Sequence, residues 1–120
     1  MRRDSELLND IYNASKLLET FTANLTQEKF AGDPLIHSAC FYQMIVMGEA
    51  ARCLSANFLN DHTQIPWSKI VKNRNFLAHT YEGIDWIMVW DTITQDAIPL
   101  SAQIYEILKG EYPETAISLT

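Results

Sequence analysis

The chain has 120 residues, enough for one domain with a single hydrophobic core. A hydrophobic content of 48% excludes an intrinsically disordered chain, and a formal charge of −6 argues against nucleic-acid binding through a broad basic surface. No run of about 18 apolar residues occurs, so the sequence predicts no membrane-spanning helix.

The beginning of the sequence leads into an amphipathic pattern rather than the apolar core of a signal peptide. Leucine, isoleucine, alanine and phenylalanine side chains then recur at helical spacing and predict a first helix over residues 5–24. Thr26 is expected to cap a short turn that carries Phe30 inward.

A second helix is predicted over residues 34–56, because Asp33-Pro34 combines a capping carboxylate with proline at the first helical position. Gly48 costs about 1 kcal/mol inside a helix, so we expect another helix to pass close to it. Cys40 and Cys53 would lie roughly 20 Å apart on this helix, too far for a disulfide. Free thiols without an export signal predict a cytoplasmic protein.

Residues 60–63 are predicted to form a loop, and Pro66 is predicted to start a third helix that runs to about residue 81. Arg74 lies on the apolar stripe of this helix, where a guanidinium needs an anionic partner. That partner is either a carboxylate or a phosphate. Glu49 is the first candidate for the carboxylate, although its position on the second helix also suits an ordinary surface residue.

Glu82-Gly83 is predicted to end the third helix, Asp85 to cap a fourth, and Pro99 to kink or divide the helical segment that contains it. Gly110 is the predicted end of the last helix. The whole pattern predicts an all-α, up-and-down antiparallel bundle of four to five helices over residues 1–110, with a loose tail over 111–120. His37 and His62 are interpreted as surface histidines.

The centre of the sequence carries a motif with the spacing Arg-x4-His-x-Tyr. The motif and its surroundings comprise Ile65-Pro66-Trp67, Ile70, Arg74-Asn75, His79, Tyr81, Gly83-Ile84-Asp85 and Val89-Trp90, together with Met47-Gly48-Glu49-Ala50 on the second helix. In this register the chain resembles the HEPN superfamily, and most closely the HepT-like toxins of HepT/MntA toxin–antitoxin pairs.

The resemblance implies a twofold homodimer in which two Arg74/His79 pairs meet at one cleft. It also implies a metal-independent endoribonuclease that needs no cofactor. A MntA-like minimal nucleotidyltransferase would neutralise this toxin by attaching AMP to Tyr81.

These side chains suit cleavage of RNA by internal attack of the ribose 2′-OH. His79 would act as base or acid, and Arg74 would hold the phosphate through its bidentate fork. Asn75 would orient the imidazole or donate to phosphate, and Glu49 would position Arg74. No cluster of histidines, cysteines and carboxylates at metal-ligand spacing is visible in the sequence, so no metal site is predicted.

Three other interpretations remain open. Arg74 and His79 could be a structural pair that ties the third helix to the second. The Arg74 cleft could bind a nucleotide in a non-catalytic subunit of a nucleotidyltransferase complex, which the acidic net charge favours. The chain could also be a purely structural dimer with Trp67, Trp86 and Trp90 as interface anchors. The tryptophans are assigned no role in RNA binding.

Overall fold

The structure is a computed structural model that describes residues 2–79 and 83–119, without the side chain of His79. The helices are α1 (Asp4–Thr22), α2 (Gln27–Ala31), α3 (Pro34–Cys53), α4 (Ala56–Asp61), α5 (Trp67–His79), α6 (Trp86–Thr92), a π-helical segment (Ile93–Ala97), α7 (Ile98–Glu111) and α8 (Pro113–Ser118). No strand occurs in these two ranges. The predicted all-α bundle is therefore confirmed.

Four long helical elements build the bundle: α1, α3, α5, and the run formed by α6, the π-helical segment and α7. α1 packs against α3 and α7, and α3 also packs against α5. Apolar side chains at helical spacing fill the interior. The largest fully buried ones are Leu8, Ile11, Leu18, Phe30, Ile65, Ile93, Leu100, Ile104 and Leu108. None of the described helices is long and apolar enough to cross a membrane.

The predicted helix starts at Thr26, Asp33 and Asp85 are all present. Each side chain accepts hydrogen bonds from backbone N–H groups in the first turn of the next helix. These N–H groups would otherwise lack partners, so each cap stabilises its helix by about 1 kcal/mol. The short helix after Thr26 carries Phe30 fully into the core, as predicted.

Pro99 changes the hydrogen-bonding register of its helix without breaking it. Proline has no N–H to donate, and the preceding turn is π-helical, with the N–H of Ile98 donating to the carbonyl of Ile93. The buried hydroxyl of Ser15 donates to the carbonyl oxygen of Ala97 at 2.6 Å. The helical segment is therefore not divided at Pro99, since it continues from α6 through the π-helical turn into α7.

The prediction of a loop over residues 60–63 is wrong for the first two of these residues. Residues 60 and 61 belong to α4, which starts where the Ser55 hydroxyl accepts a hydrogen bond from the N–H of Phe58. Phe58 is buried and fixes this short helix against the core. A helix of this length shows too little periodicity to be recognised in the sequence.

The C-terminal segment is also more ordered than predicted. α7 continues through Gly110 to Glu111, and Pro113–Ser118 then forms α8 where a loose tail was expected. Ala116 of α8 is buried against the end of α7. Proline at the first position favours this helix start, as it does in α3.

His62 is buried, so its interpretation as a surface histidine is wrong. Its Nδ1 lies 2.9 Å from the carbonyl oxygen of Phe58, and its Nε2 lies 2.5 Å from a carboxylate oxygen of Glu111. Both partners are acceptors, so both ring nitrogens can donate only in the protonated ring, and the two contacts favour the imidazolium form. Burial lowers the pKa of His62. The hydrogen bonds to Phe58 and Glu111 together raise the pKa by more than burial lowers it, so the net shift is upward.

Protonation of His62 makes the stability of the fold depend on pH. Because the pKa of His62 is raised in the folded chain, its contribution is present in full below about pH 6.5, the unfolded value. The contribution is lost as pH rises through the folded pKa. We expect the loss to be about 1 kcal/mol, since Glu111 is half exposed.

Urea unfolding curves between about pH 5.5 and 9 would measure this loss. Glu111→Gln should flatten the dependence, whereas Glu114→Gln, at an exposed position of α8, should leave it unchanged. An unfolding free energy that rises with pH in the unsubstituted protein would contradict the assignment.

Candidate active site

The crossing of α3 and α5 is built around Gly48. A Cβ atom at position 48 would overlap the Cβ of Arg74, lie 2.7 Å from its Cγ and lie 3.3 Å from the carbonyl oxygen of Ile70. Any side chain larger than hydrogen would push the helices apart. The close approach of a second helix, which we predicted from Gly48, is therefore present. The residue that packs against this glycine is Arg74 of the Arg-x4-His-x-Tyr motif.

Arg74 is held in a half-buried position, with 28% of its side chain exposed. Its Nη2 lies 3.6 Å from a carboxylate oxygen of Glu49, so the predicted contact between these residues is present. Its Nη1 donates to the side-chain oxygen of Asn75 at 2.9 Å. The buried Nε has no hydrogen-bond partner among the residues described. Because Glu49 lies 3.6 Å from Nη2, beyond hydrogen-bonding distance, it leaves the terminal N–H groups of the guanidinium with donor capacity for a further anion.

Glu49 has a second and closer cationic partner that was not predicted. Arg52, one helical turn on, donates to the two carboxylate oxygens at 2.5 and 3.1 Å. The Arg52 hydrogen bonds are the main cause that lowers the pKa of Glu49. Burial opposes the shift, and the positive charges of Arg52 and Arg74 add to it. The spacing Glu49-x-x-Arg52 on one helix was the available signal.

Two guanidinium groups thus share one carboxylate. The group formed by Glu49, Arg52 and Arg74 has a net charge of +1, although the whole chain has a net charge of −6. Lys69 adds little, because a carboxylate oxygen of Asp96 lies 2.8 Å from its ammonium group. The local excess of positive charge at this helix crossing is what an anionic ligand would encounter.

The motif residues downstream of Arg74 are only partly described. Asn75 is exposed, and its side-chain carbonyl oxygen accepts from Arg74, while its NH₂ group has no hydrogen-bond partner among the described residues. His79 is the last residue of α5, and its Cα lies about 7.5 Å from that of Arg74 along the axis and about 140° around it. The position of the His79 side chain and the whole of Tyr81 lie outside the described residues.

Other sources of reactivity are limited. Cys40 is buried, and burial raises the pKa of its thiol to about 11. Cys53 is exposed at the end of α3, and both thiols are free, as predicted. No group of three or more histidines, cysteines and carboxylates in the described ranges could hold a metal ion. Trp67 is buried, and Trp86 and Trp90 pack against the core.

The chain combines an all-α bundle, an arginine–carboxylate contact between two crossing helices and an Arg-x4-His-x-Tyr sequence. Comparison with known proteins identifies the class of protein that has these features. The chain belongs to the HepT-like family, whose model is described as "Ribonuclease HepT-like" and matches residues 11–107. The resemblance inferred from the sequence is thereby confirmed. No solved structure matches the chain.

Two relatives align with this chain over almost their whole length. The "Probable ribonuclease HepT" of Thermococcus cleftensis is 30% identical over 108 residues, which cover 90% of this chain and 98% of that protein. The "Putative RNase TTE0752" of Caldanaerobacter subterraneus subsp. tengcongensis is 29% identical over 111 residues, which cover 92% and 99% respectively.

Proposed function

We propose that this protein is a metal-independent endoribonuclease, the toxin of a toxin–antitoxin pair, with Arg74 and His79 as catalytic residues. Membership of the HepT-like ribonuclease family supports the reaction class. The observation that supports the site is the half-buried guanidinium of Arg74, which packs against Gly48 and whose Nη2 lies beyond hydrogen-bonding distance of Glu49. A phosphodiester is an anion whose paired oxygens fit such a fork.

In the proposed reaction, His79 takes the proton of the ribose 2′-OH. The resulting oxygen attacks the neighbouring phosphorus. The bond from phosphorus to the 5′-oxygen breaks, and that oxygen receives a proton from an imidazolium. The products are a 2′,3′-cyclic phosphate and a 5′-OH end. Arg74 stabilises the charge that accumulates on the phosphorane, and Asn75 donates to the same phosphate or orients the imidazole.

Glu49 is proposed as a positioning residue. Its carboxylate lies beside Arg74 but beyond hydrogen-bonding distance, and it is bound more closely by Arg52. It can therefore orient the fork of Arg74 without occupying its donors. When a phosphate binds, Arg52 keeps the carboxylate paired, so no anion is left without a partner.

A homodimer is proposed to complete the site. The Cα atoms of Arg74 and His79 lie on different sides of α5, so one phosphodiester meets both only at the last turn of the helix or across a subunit boundary. A second copy would supply the imidazole that protonates the leaving oxygen. Sedimentation or light scattering of the purified protein tests this arrangement.

The test of the proposed function is cleavage of RNA by the purified protein in EDTA. We expect cuts in single-stranded RNA that leave 2′,3′-cyclic phosphate ends, and no cuts in DNA or 2′-O-methyl RNA of the same sequence, because the nucleophile is the 2′-OH. Cleavage of the 2′-O-methyl strand would contradict the mechanism.

A second candidate is a non-catalytic subunit that binds a nucleotide at Arg74 and presents it to a nucleotidyltransferase. The net charge of −6 favours it, because a nuclease that binds RNA unaided usually has a more basic surface. ATP binding that Arg74→Ala abolishes, without any RNA cleavage, would select this function over the first.

Control of the toxin is proposed to reside at Tyr81. Co-expression with a MntA-like minimal nucleotidyltransferase should raise the intact mass by whole AMP units and abolish RNA cleavage. The added phosphate brings negative charge close to the position where the RNA phosphate must bind. Tyr81→Phe should prevent the mass change, whereas Tyr42→Phe, at an exposed tyrosine of α3, should not. A mass increase that survives Tyr81→Phe would remove Tyr81 from this role.

A further inference from the structure

A recess lies beside the start of α3. It is lined by Pro34, His37, Ser38, Phe41, Ile84 and Trp86 and encloses about 400 Å³. We call it the α3–α6 groove, because its walls come from the first turns of α3 and from Trp86 at the start of α6. Its volume is at the small end of the range for ligand pockets, which suits one planar group rather than a peptide helix.

The groove contains a preformed stack of rings. The His37 imidazole lies parallel to the Trp86 indole, with a centroid distance of 3.9 Å and an angle of 9°. The fully buried Phe30 packs against the His37 ring, with a centroid distance of 5.2 Å. His37 is therefore half-buried and fixed, which corrects its interpretation as a surface histidine. Fixed aromatic planes are the platforms on which unpaired bases stack.

The polar atoms at this stack have a defined character. Nε2 of His37 lies 2.6 Å from the carbonyl oxygen of Phe30, an acceptor, so Nε2 carries the proton. In the neutral ring Nδ1 is then an acceptor. The exposed Ser38 hydroxyl lies next in sequence, and neither it nor Nδ1 has a hydrogen-bond partner in the described part of the chain. Nδ1 of His37 and the Ser38 hydroxyl can discriminate among bases by the N–H donors that each base presents.

The groove lies in line with the catalytic arginine. His37, Phe41 and Gly48 are spaced four and seven residues apart on α3, so they share one stripe of the helix. Gly48 is the point at which Arg74 crosses, and about 16 Å of helix separates it from His37. Gly48 itself is buried beneath α5, so this stripe gives the distance between the two sites and not the path of the strand, which must pass over the surface between them.

We propose that the α3–α6 groove binds one unpaired base of the RNA strand, a short distance from the cleaved bond, and that His37 and Ser38 select which base it accepts. This inference rests on the proposed ribonuclease function. It gives the tryptophan at the start of α6 a role in RNA binding, which the sequence alone did not suggest.

The test uses the full-length His79→Ala protein, which is proposed not to cleave, and four tetraribonucleotides of one base each. The tryptophan indole N–H signals are followed by NMR during titration. We expect the Trp86 signal to shift. The Trp67 signal should stay constant, because its indole N–H donates to the carbonyl of His62 inside the core at 2.8 Å. One tetranucleotide should bind more tightly than the others.

Two substitutions separate stacking from base selection. Trp86→Leu should weaken binding of all four tetranucleotides about tenfold, the loss of one stacking contact. His37→Phe keeps a ring in the stack and removes the acceptor, so it should reduce the preference for the best base about fivefold, as one hydrogen bond would. Leu35→Ala, at a 78% exposed position on α3, should change neither.

The inference is overturned if the Trp86 signal does not move, or if His37→Phe leaves the base preference intact. Binding of ATP at the groove, without binding of any tetranucleotide, would likewise overturn the assignment to RNA. These titrations do not depend on cleavage. A wild-type protein that fails to cut RNA therefore contradicts the ribonuclease function separately, while the titrations decide on the groove.

Discussion

Replacing Arg74 or His79 with alanine is expected to lower the rate constant of RNA cleavage about a thousandfold in each case. Loss of His79 removes the group that moves the proton. Loss of Arg74 removes the cation that compensates the phosphorane, at a site where burial strengthens its effect. Since both act on one transition state, the double variant should be little slower than either single variant.

The fold should survive the loss of Arg74. Glu49 keeps its two hydrogen bonds from Arg52 when Arg74 is removed, so no carboxylate is left unpaired. We expect the free energy of unfolding to change by less than about 1 kcal/mol. A fall in activity without a matching fall in stability distinguishes a catalytic arginine from a structural one.

Arg74→Lys and Lys72→Ala are the matched controls, assayed as single-turnover rates on a short RNA. Lysine keeps the charge but lacks the planar fork, so Arg74→Lys should recover only part of the rate. Lys72 is exposed on the same helix, and its loss should leave the rate near that of the wild type. Residual cleavage by His79→Ala within about tenfold of the wild type would contradict the proposed role of the histidine.

The sequence predicted the bundle because its long helices carry strong local signals. Asp33-Pro34 and Asp85 mark helix starts through their own side chains, and the structure places both caps as expected. α4 and α8 were missed for the opposite reason. Each has six residues, too few for a periodic pattern, and each depends on a single buried side chain, Phe58 or Ala116.

The site was predictable at positions where a residue is energetically unfavourable unless it has a particular neighbour. Glycine in a helix and arginine on an apolar stripe are both unfavourable alone, and each indicated a partner. Gly48 and Arg74 prove to be part of the same contact, with Glu49 beside them. The contacts of His62 with Glu111 and of His37 with Trp86 each join residues 49 positions apart, and no local pattern reveals such pairs.

Gly48→Ala carries the second largest expected effect, because it acts on the packing that places Arg74. In a free helix alanine would be about 1 kcal/mol more favourable than glycine. Here the added Cβ overlaps the Cβ of Arg74 and approaches its Cγ to 2.7 Å. The backbone of α5 also limits the space, through the Ile70 carbonyl at 3.3 Å. Overpacking of this kind costs about 1–3 kcal/mol, so net destabilisation of about 1 kcal/mol is expected.

The effect of Gly48→Ala on cleavage should exceed its effect on stability. The backbone fixes the Cβ of Arg74, so the overlap is relieved only by moving α5 away from α3. A displacement of the guanidinium by about 1 Å costs roughly a hundredfold in rate. Gly110→Ala is the matched control, since nothing lies within 4 Å of a Cβ at that helical glycine. It should stabilise the fold by about 0.5–1 kcal/mol and leave cleavage unchanged. If urea unfolding and single-turnover cleavage gave the same values for both glycine variants, the close crossing of α3 and α5 would not be what positions Arg74.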